Sequence, residues 1–352
     1  MTSVPGRTGD DADVVPELHA GRSAWITRAL LLGLAAVITV VVVRLVGQID
    51  WAAVWDALGQ LTWWQPVALL GMLVVRQVLN AMPMALYIPA VTVYRSTLND
   101  LAASLMGLVA PPPSDLALRM AMFSSWGVSA AKALAGLVLN MLTFYIVRFA
   151  TPLLGFVLAA ALGWSPGLRW LELLSLALAA AMVVTLHLVV GSQQLALAIG
   201  KKAGRAAHRV RHNVDPDGWG QACQQFRVDV EDRYRSGFPR GLLSQVGMIA
   251  ADFTMLLLCL RFVGVEASEV SAAEVAVAYL FAFPFTVFPF MGIGVVDALI
   301  LAAVVEAGGL DVEAAAVAGL IVWRVFTLAG PAVLGVFALT VWRRTTTRAP
   351  AG

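Results

Sequence analysis

The chain has 352 residues, of which 60% are hydrophobic and 13% charged. Soluble domains carry about 25% charged and 45–50% apolar residues, so an ordinary soluble enzyme is excluded, and so is a disordered chain. The 24 Lys and Arg nearly balance 22 Asp and Glu, but 15 of the basic residues fall in three stretches, 1–28, 201–240 and 343–352. What remains is almost bare of charge, which is the signature of an all-α polytopic membrane protein.

Residues 1–28 hold Asp10, Asp11, Asp13 and Glu17 and no cleavage-site pattern, so they read as a disordered cytoplasmic tail. A first span over 29–46 is flanked by Arg28 and Arg44, which reach the interface by snorkelling. In 49–64, Trp51, Trp55 and Leu58 share one helical face and predict an interfacial helix in the aromatic belt. A second span covers 66–88. Residues 97–127 are apolar but broken at Pro111-Pro112-Pro113-Ser114-Asp115. Residues 130–163 are apolar again, interrupted by Arg148 and Pro152, and 168–190 form another span that continues toward Gly200.

The sizeable polar insert is 201–240, which opens with Lys201, Lys202, Arg205, His208, Arg209, Arg211 and His212. Residues 242–262 form a clear span. Residues 272–308 are broken at Pro284, Pro289, Gly292 and Gly294, and 312–342 form a last span with a kink expected at Pro331. The transmembrane domain is thus 29–342, divided by the insert, with a cytoplasmic tail over 343–352.

Orientation follows from the basic residues. The N-terminal tail, the insert and Arg343, Arg344 and Arg348 place both termini inside. Loops 47–65, 263–274 and 308–313 hold acids and no Lys or Arg, which suits the outside. Both termini inside requires an even number of crossings, six to eight. The range arises because 97–127 and 272–308 each read as a re-entrant pair or as two full crossings. The stretch from Gly127 to Gly136 resembles that from Gly309 to Gly319, and each follows a Pro-broken segment and precedes a Pro-to-Gly stretch, Pro152 to Gly155 and Pro331 to Gly335. Interrupted segments at corresponding places in two halves point to a transport site near the midplane.

An ionisable group in hydrocarbon is expensive. Arg76, Asp252, Asp297 and Arg324 fall near the middle of spans or broken segments, and four unpaired groups would cost roughly 10–14 kcal/mol on insertion scales. They should face inward and pair with one another, with backbone or with a ligand. Asn80 shares the face of Arg76 at i+4, so two donors converge there. Asp115 and Arg119 follow the proline run. Either they form a local ion pair with Ser114 as N-cap, or the helix start and Arg119 hold a phosphate. Pro289 stops a helix, and Gly292 and Gly294 before Asp297 permit a tight turn or close ligand approach. The alternative for that stretch is an ordinary turn between two spans.

No metal-ligand cluster, nucleophile elbow or P-loop occurs, and no cofactor is expected. His208 and His212, at i and i+4, lack a third ligand, and His187 reads as a packed or interfacial side chain. Cys223 and Cys259 suggest no disulfide. The basic insert is explained by topology, so no nucleic-acid partner is expected, although it suits anionic headgroups.

The run Pro289-Phe290-Met291-Gly292-Ile293-Gly294-Val295-Val296-Asp297 resembles the Pro-x-Gly-Gly-x-Gly-x-x-Glu turn of the lysylphosphatidylglycerol synthase transmembrane-region family, flippase-like integral membrane proteins. Glu306-Ala307-Gly308-Gly309, then Ala318-Gly319-Leu320-Ile321-Val322-Trp323-Arg324, is similar to that family's glycines followed by a helix with Arg. Pro113-Ser114-Asp115, Arg119 and Trp126-Gly127-Val128-Ser129 resemble its first broken segment. The resemblance covers most of 28–342. It departs at Met291, where the family has Gly, and at Asp297, where it has Glu. Members that make lysyl-lipid add a soluble aminoacyl-transferase domain, and none is recognisable in this sequence. The resemblance therefore implies translocation of a phospholipid or polyprenyl-linked precursor across the inner membrane, not synthesis.

On that reading Arg76, Asn80, Arg119 and Arg324 bind an anionic group, Asp115, Asp252 and Asp297 balance them or meet a cationic headgroup, and Gly292 and Gly294 shape the cavity. The alternative is a non-transporting accessory or scaffold subunit bound to a partner of a cell-envelope lipid or glycan pathway. A membrane enzyme acting on polyprenyl-linked sugars would need a concentrated acid or His site at one face, and none is seen.

Overall fold

Hydrocarbon offers the backbone no hydrogen-bond partners, so apolar stretches satisfy their peptide groups internally, as helices. The computed structural model describes residues 61–110, 113–164, 170–210 and 215–346, with Asp56 and Gly59, and contains no strand among them. The expected 29–46 span, the Trp51/Trp55/Leu58 face and both tails lie outside the described residues.

Five long apolar segments are present: α1 (Trp64–Tyr87), α4 (Ala130–Ala161), α5 (Trp170–Gly191), Arg233–Phe262 within α7 (Pro216–Phe262), and Leu310–Thr345. The last is α10 (Glu313–Arg324), a π turn over Val325–Ala329, and α11 (Gly330–Thr346). The irregularity expected at Pro331 thus falls one turn earlier. Proline lacks the N–H that would bond the carbonyl of Thr327, and the wider turn absorbs that loss.

Both broken stretches are helical hairpins. In the first, α2 (Val93–Val109) is capped by the Thr92 hydroxyl and is followed by α3 (Ser114–Ser125). Pro113, not Ser114, occupies the N-cap of α3, and no side chain caps it. In the second, a Ser271/Glu274 capping box starts α8 (Ala272–Ala282). A 3₁₀ segment (Phe283–Val287), a single turn (Pro289–Gly292) and α9 (Val295–Gly308) follow. At 1.5 Å per residue, and 2.0 Å in the 3₁₀ part, the arms are about 18–26 Å long, short of the ~30 Å hydrocarbon core. Each hairpin also returns to where it began. Val91 packs in one cluster with Phe123 and Val128, and Gly308 lies against Val270.

The two halves are organised around α1 and α7. Trp64 meets Phe262, Arg76 meets Asp252, the Leu79 carbonyl accepts from Ser244, and Tyr87 lies against Gly237. The pair is therefore antiparallel along its whole length, and the hairpins that follow the C-termini of α1 and α7 leave from opposite ends of it. The faint sequence repeat is mirrored in the packing. Gly136 of α4 seats Ile88 beside the end of α1, as Gly319 of α10 seats Leu260 near the end of α7. Gly155 lies against Leu280 and Phe281 of α8, as Gly335 lies against Leu101 and Leu105 of α2. Each hairpin thus packs on the helical segment that follows the other hairpin.

The basic insert is helical as well. α6 (Gln193–Val210) packs on the first turns of α7, which Asp215 and Pro216 initiate. The span expected from 242 is therefore the distal part of one continuous 47-residue helix. Gly200, Gly204 and Gly220 bring the two helices close, and Lys201 pairs with Asp217 at 2.8 Å. That exposed hydrogen bond and charge hold the Asp217 carboxyl below the usual carboxylate range. His208 and His187 are exposed on α6 and α5; the packed alternative for His187 does not hold, because its side chain lies on an outward face of α5.

Candidate functional site

Three Arg–Asp pairs are buried or nearly so in the helical body. At the centre, Arg76 Nε lies 2.7 Å from Asp252 Oδ1, joining α1 to α7. Arg76 Nη1 also donates to Gln77, and the Tyr279 hydroxyl of α8 donates to Asp252 Oδ2 at 2.7 Å. Their side chains are only 8% and 3% exposed. Such a pair repays its desolvation only when the remaining lone pairs and protons are also bonded, and Gln77 and Tyr279 do this here.

The first hairpin carries the second pair. Arg119 Nη2 is 2.8 Å from Asp100 Oδ1, and Nη1 donates to Asn99 at 3.1 Å. Asn80 of α1 donates to Asp100 Oδ2 at 2.9 Å. Two sequence expectations are corrected here. Arg119 pairs across the hairpin with Asp100, not locally with Asp115, because folding α3 back on α2 brings a carboxylate to it. Asp115 makes no ion pair among the described residues. Arg76 and Asn80 share a face, but their donors diverge to Asp252 and Asp100.

The second hairpin carries the third pair. Arg324 Nε of α10 is 2.6 Å from Asp297 Oδ1, and Asp297 Oδ2 accepts from the Gly294 N–H at 2.8 Å. Asp297 therefore caps α9 and neutralises Arg324 at once. The turn preceding it is left-handed at Met291 (φ 56°), Gly292 (φ 68°) and Gly294 (φ 85°), which only glycine adopts without strain. Its geometry aims the Met291 carbonyl at Arg324 Nη1, 3.3 Å away.

The pairs are linked. Arg324 lies over Trp323 at 4.5 Å, Trp323 meets Tyr279 edge-on at 6.3 Å, and Tyr279 holds Asp252. The four charges Arg76, Asp252, Asp297 and Arg324 form two neutral pairs joined by aromatic rings, not a single cluster.

Asp100, Asn99, Tyr279 and Arg148 do not emerge as site residues from the sequence. Arg148, in the middle of α4, is the informative omission: it is 5% exposed and forms no ion pair among the described residues. A cation in the centre of an apolar run was itself the signal. Among the described residues no group of three His, Cys, Asp or Glu is placed to hold a metal ion.

A lateral cavity of about 630 Å³ opens between the start of α5, α8 and α9, lined by Trp164, Glu172, Glu274, Phe281, Leu299 and Glu306 among others. A smaller one of about 170 Å³ shares Leu171, Glu172, Phe281 and Phe285 with it and runs beside Phe149, Pro152 and Pro284.

Long apolar helices, two broken hairpins and three Arg–Asp pairs buried among them define a polytopic helical membrane protein. The family model described as lysylphosphatidylglycerol synthase TM region matches residues 30–335, and the chain belongs to that family. No curated protein and no solved structure matches it.

Proposed function

We propose that the protein translocates a phospholipid or polyprenyl-linked lipid across the cytoplasmic membrane, moving it without making or breaking a covalent bond. One observation carries this reading. Two hairpins with arms shorter than the hydrocarbon core leave from opposite ends of the antiparallel α1/α7 pair; the first carries an Arg–Asp pair between its arms, and the second supplies, next to its break, the Asp297 that pairs with Arg324 of α10. Broken helices paired across inverted halves are the arrangement that supplies alternating access to a midplane site.

On the distribution of basic residues both termini lie in the cytoplasm, and the 29–46 span expected from the sequence would bring the five described ones, α1, α4, α5, the apolar part of α7 and α10–α11, to six crossings. The first hairpin then enters from the cytoplasmic face and the second from the opposite face. Chemistry follows from exposure. The central pair is closed, whereas the hairpin pairs are more open, at 18% and 10% for Arg119 and Asp100 and 12% and 21% for Arg324 and Asp297. A headgroup anion reaching either hairpin displaces a carboxylate from one guanidinium, and the freed Asp carboxylate is balanced by the cationic part of a zwitterionic headgroup or by taking up a proton.

The test is headgroup accessibility in proteoliposomes containing labelled lipids of several classes. Purified protein is expected to accelerate loss of protection of at least one class over protein-free vesicles. Rates equal to those of protein-free vesicles for every class would overturn the reading.

A further inference from the structure

Arg148 is a buried cation that the ion pairs leave unbalanced. Its Nε has no partner among the described residues, and Nη1 reaches only the Thr286 carbonyl, at 3.3 Å. The guanidinium otherwise lies over aromatic rings, 4.1 Å from Phe144 and 5.7 Å from both Tyr145 and Phe283. Ring faces attract a cation without neutralising it. Phe283 stands 5.3 Å from Tyr279, and Arg148 is within electrostatic range of Arg76 and Asp252. That pair is already neutral, so the centre keeps one positive charge.

Trp323 Nε1 and Arg324 Nη2 are further buried N–H donors with no acceptor among the described residues, on the helix that meets Tyr279, while Asn140 Oδ1 of α4 and Gln245 Oε1 of α7 are buried acceptors equally without a partner. What asks for an anion is Arg148 itself, a buried guanidinium with a single hydrogen bond and no ion pair among the described residues. The smaller cavity is lined by neighbours of Arg148 and of its carbonyl partner: by Phe149, the next residue of α4, and Pro152, one turn on, by Glu172 and Ser175 of α5, and by Phe285 and Val287, which flank Thr286. Its walls are mostly apolar, and it shares residues with the larger lateral cavity.

We propose that Arg148 anchors the phosphate oxyanion of a lipid whose chain occupies this groove. The guanidinium exchanges its single carbonyl contact for a forked pair of bonds to phosphate. This deepens the translocase reading and rests on it for the lipid nature of the ligand. It makes the recognised group a phosphate ester, in a phospholipid or a polyprenyl phosphate, and assigns the anion to α4 and the second hairpin.

The experiment is native mass spectrometry of the full chain in detergent. It is offered phosphatidylglycerol, phosphatidylcholine, polyprenyl phosphate or diacylglycerol, each with and without inorganic phosphate. Phosphate-bearing lipids are expected to be retained about tenfold better than diacylglycerol, with R148Q abolishing the preference and R148K keeping part of it. The arm retained best names the source, and full competition by inorganic phosphate would overturn the lipid assignment. Equal retention of diacylglycerol by the wild type, or an unchanged preference in folded R148Q, would overturn the anchor. Should R148Q not fold, a photo-crosslinker replacing Phe285 in the Arg148-intact chain decides: adducts confined to phosphate lipids support the anchor, and equal adducts with diacylglycerol sink it. Translocation measured on the same preparations separates the two claims. Arg148-dependent binding without wild-type translocation refutes the translocase alone, and translocation with binding indifferent to Arg148 refutes the anchor alone.

Discussion

At the scale of single residues, the turn before α9 shows how backbone geometry and charge are coupled. Gly292 has φ 68°, and a Cβ there would sit 2.5 Å from the Phe285 carbonyl oxygen. Gly292→Ala should therefore cost on the order of 1–3 kcal/mol, read as a lower thermal midpoint of the purified protein. Met291→Gly, at φ 56°, should leave that midpoint unchanged or raise it, since a strained conformation is released at a position where the family has glycine. The Arg76–Asp252 pair gives the sharper case. Arg76→Met or Asp252→Leu alone leaves a buried charge uncompensated and should destabilise by about 3–5 kcal/mol, while the double replacement should recover most of that loss. The sequence revealed both partners, because charge in an apolar run stands out. It did not reveal Tyr279, an unremarkable aromatic in an apolar helix, nor that Arg119 would choose Asp100 over Asp115. That choice depends on how α3 folds back, which no local spacing encodes.

At the scale of elements, the hairpins were legible as interruptions but not as returns. Proline and glycine in 97–127 and 272–308 forced a break, yet a break is equally consistent with two crossings. The ends do meet, Val91 against Phe123 and Val128, Gly308 against Val270, as either arrangement would bring them, and the shortness of the arms is what favours the re-entrant reading. The insert showed no apolar run from which to read its structure. α7 nevertheless runs unbroken from Pro216 to Phe262, since charged side chains along a helix need only a wet face, not an irregular backbone. Cys223 lies on that proximal part and Cys259 is buried in the apolar part. Burial pushes the Cys223 thiol up, so modification needs mildly alkaline buffer. In right-side-out vesicles at such a pH, a membrane-impermeant maleimide should leave Cys223 unmodified until the vesicles are opened. Labelling of intact vesicles would place the α6/α7 hairpin on the other face and invert the topology.

At the scale of the whole molecule, the faint match between Gly127–Gly136 and Gly309–Gly319 turns out to mark equivalent contacts: Gly136 with Ile88 and Gly319 with Leu260, Gly155 with α8 and Gly335 with α2. Small residues were retained where helix backbones must approach closely, and the repeat survives there because side chains elsewhere are free to vary among apolar types. The central claim is that the buried charges serve a passing headgroup and not only the fold. The Arg119→Met/Asp100→Leu double variant of the more open first-hairpin pair separates these roles, because removing both charges together leaves neither unpaired and is expected to keep the thermal midpoint. The decisive measurement is the lipid translocation rate in proteoliposomes of this variant beside the wild type, at equal protein density. The account predicts wild-type acceleration over empty vesicles and its loss in the folded double variant; full wild-type rates in that variant would contradict it.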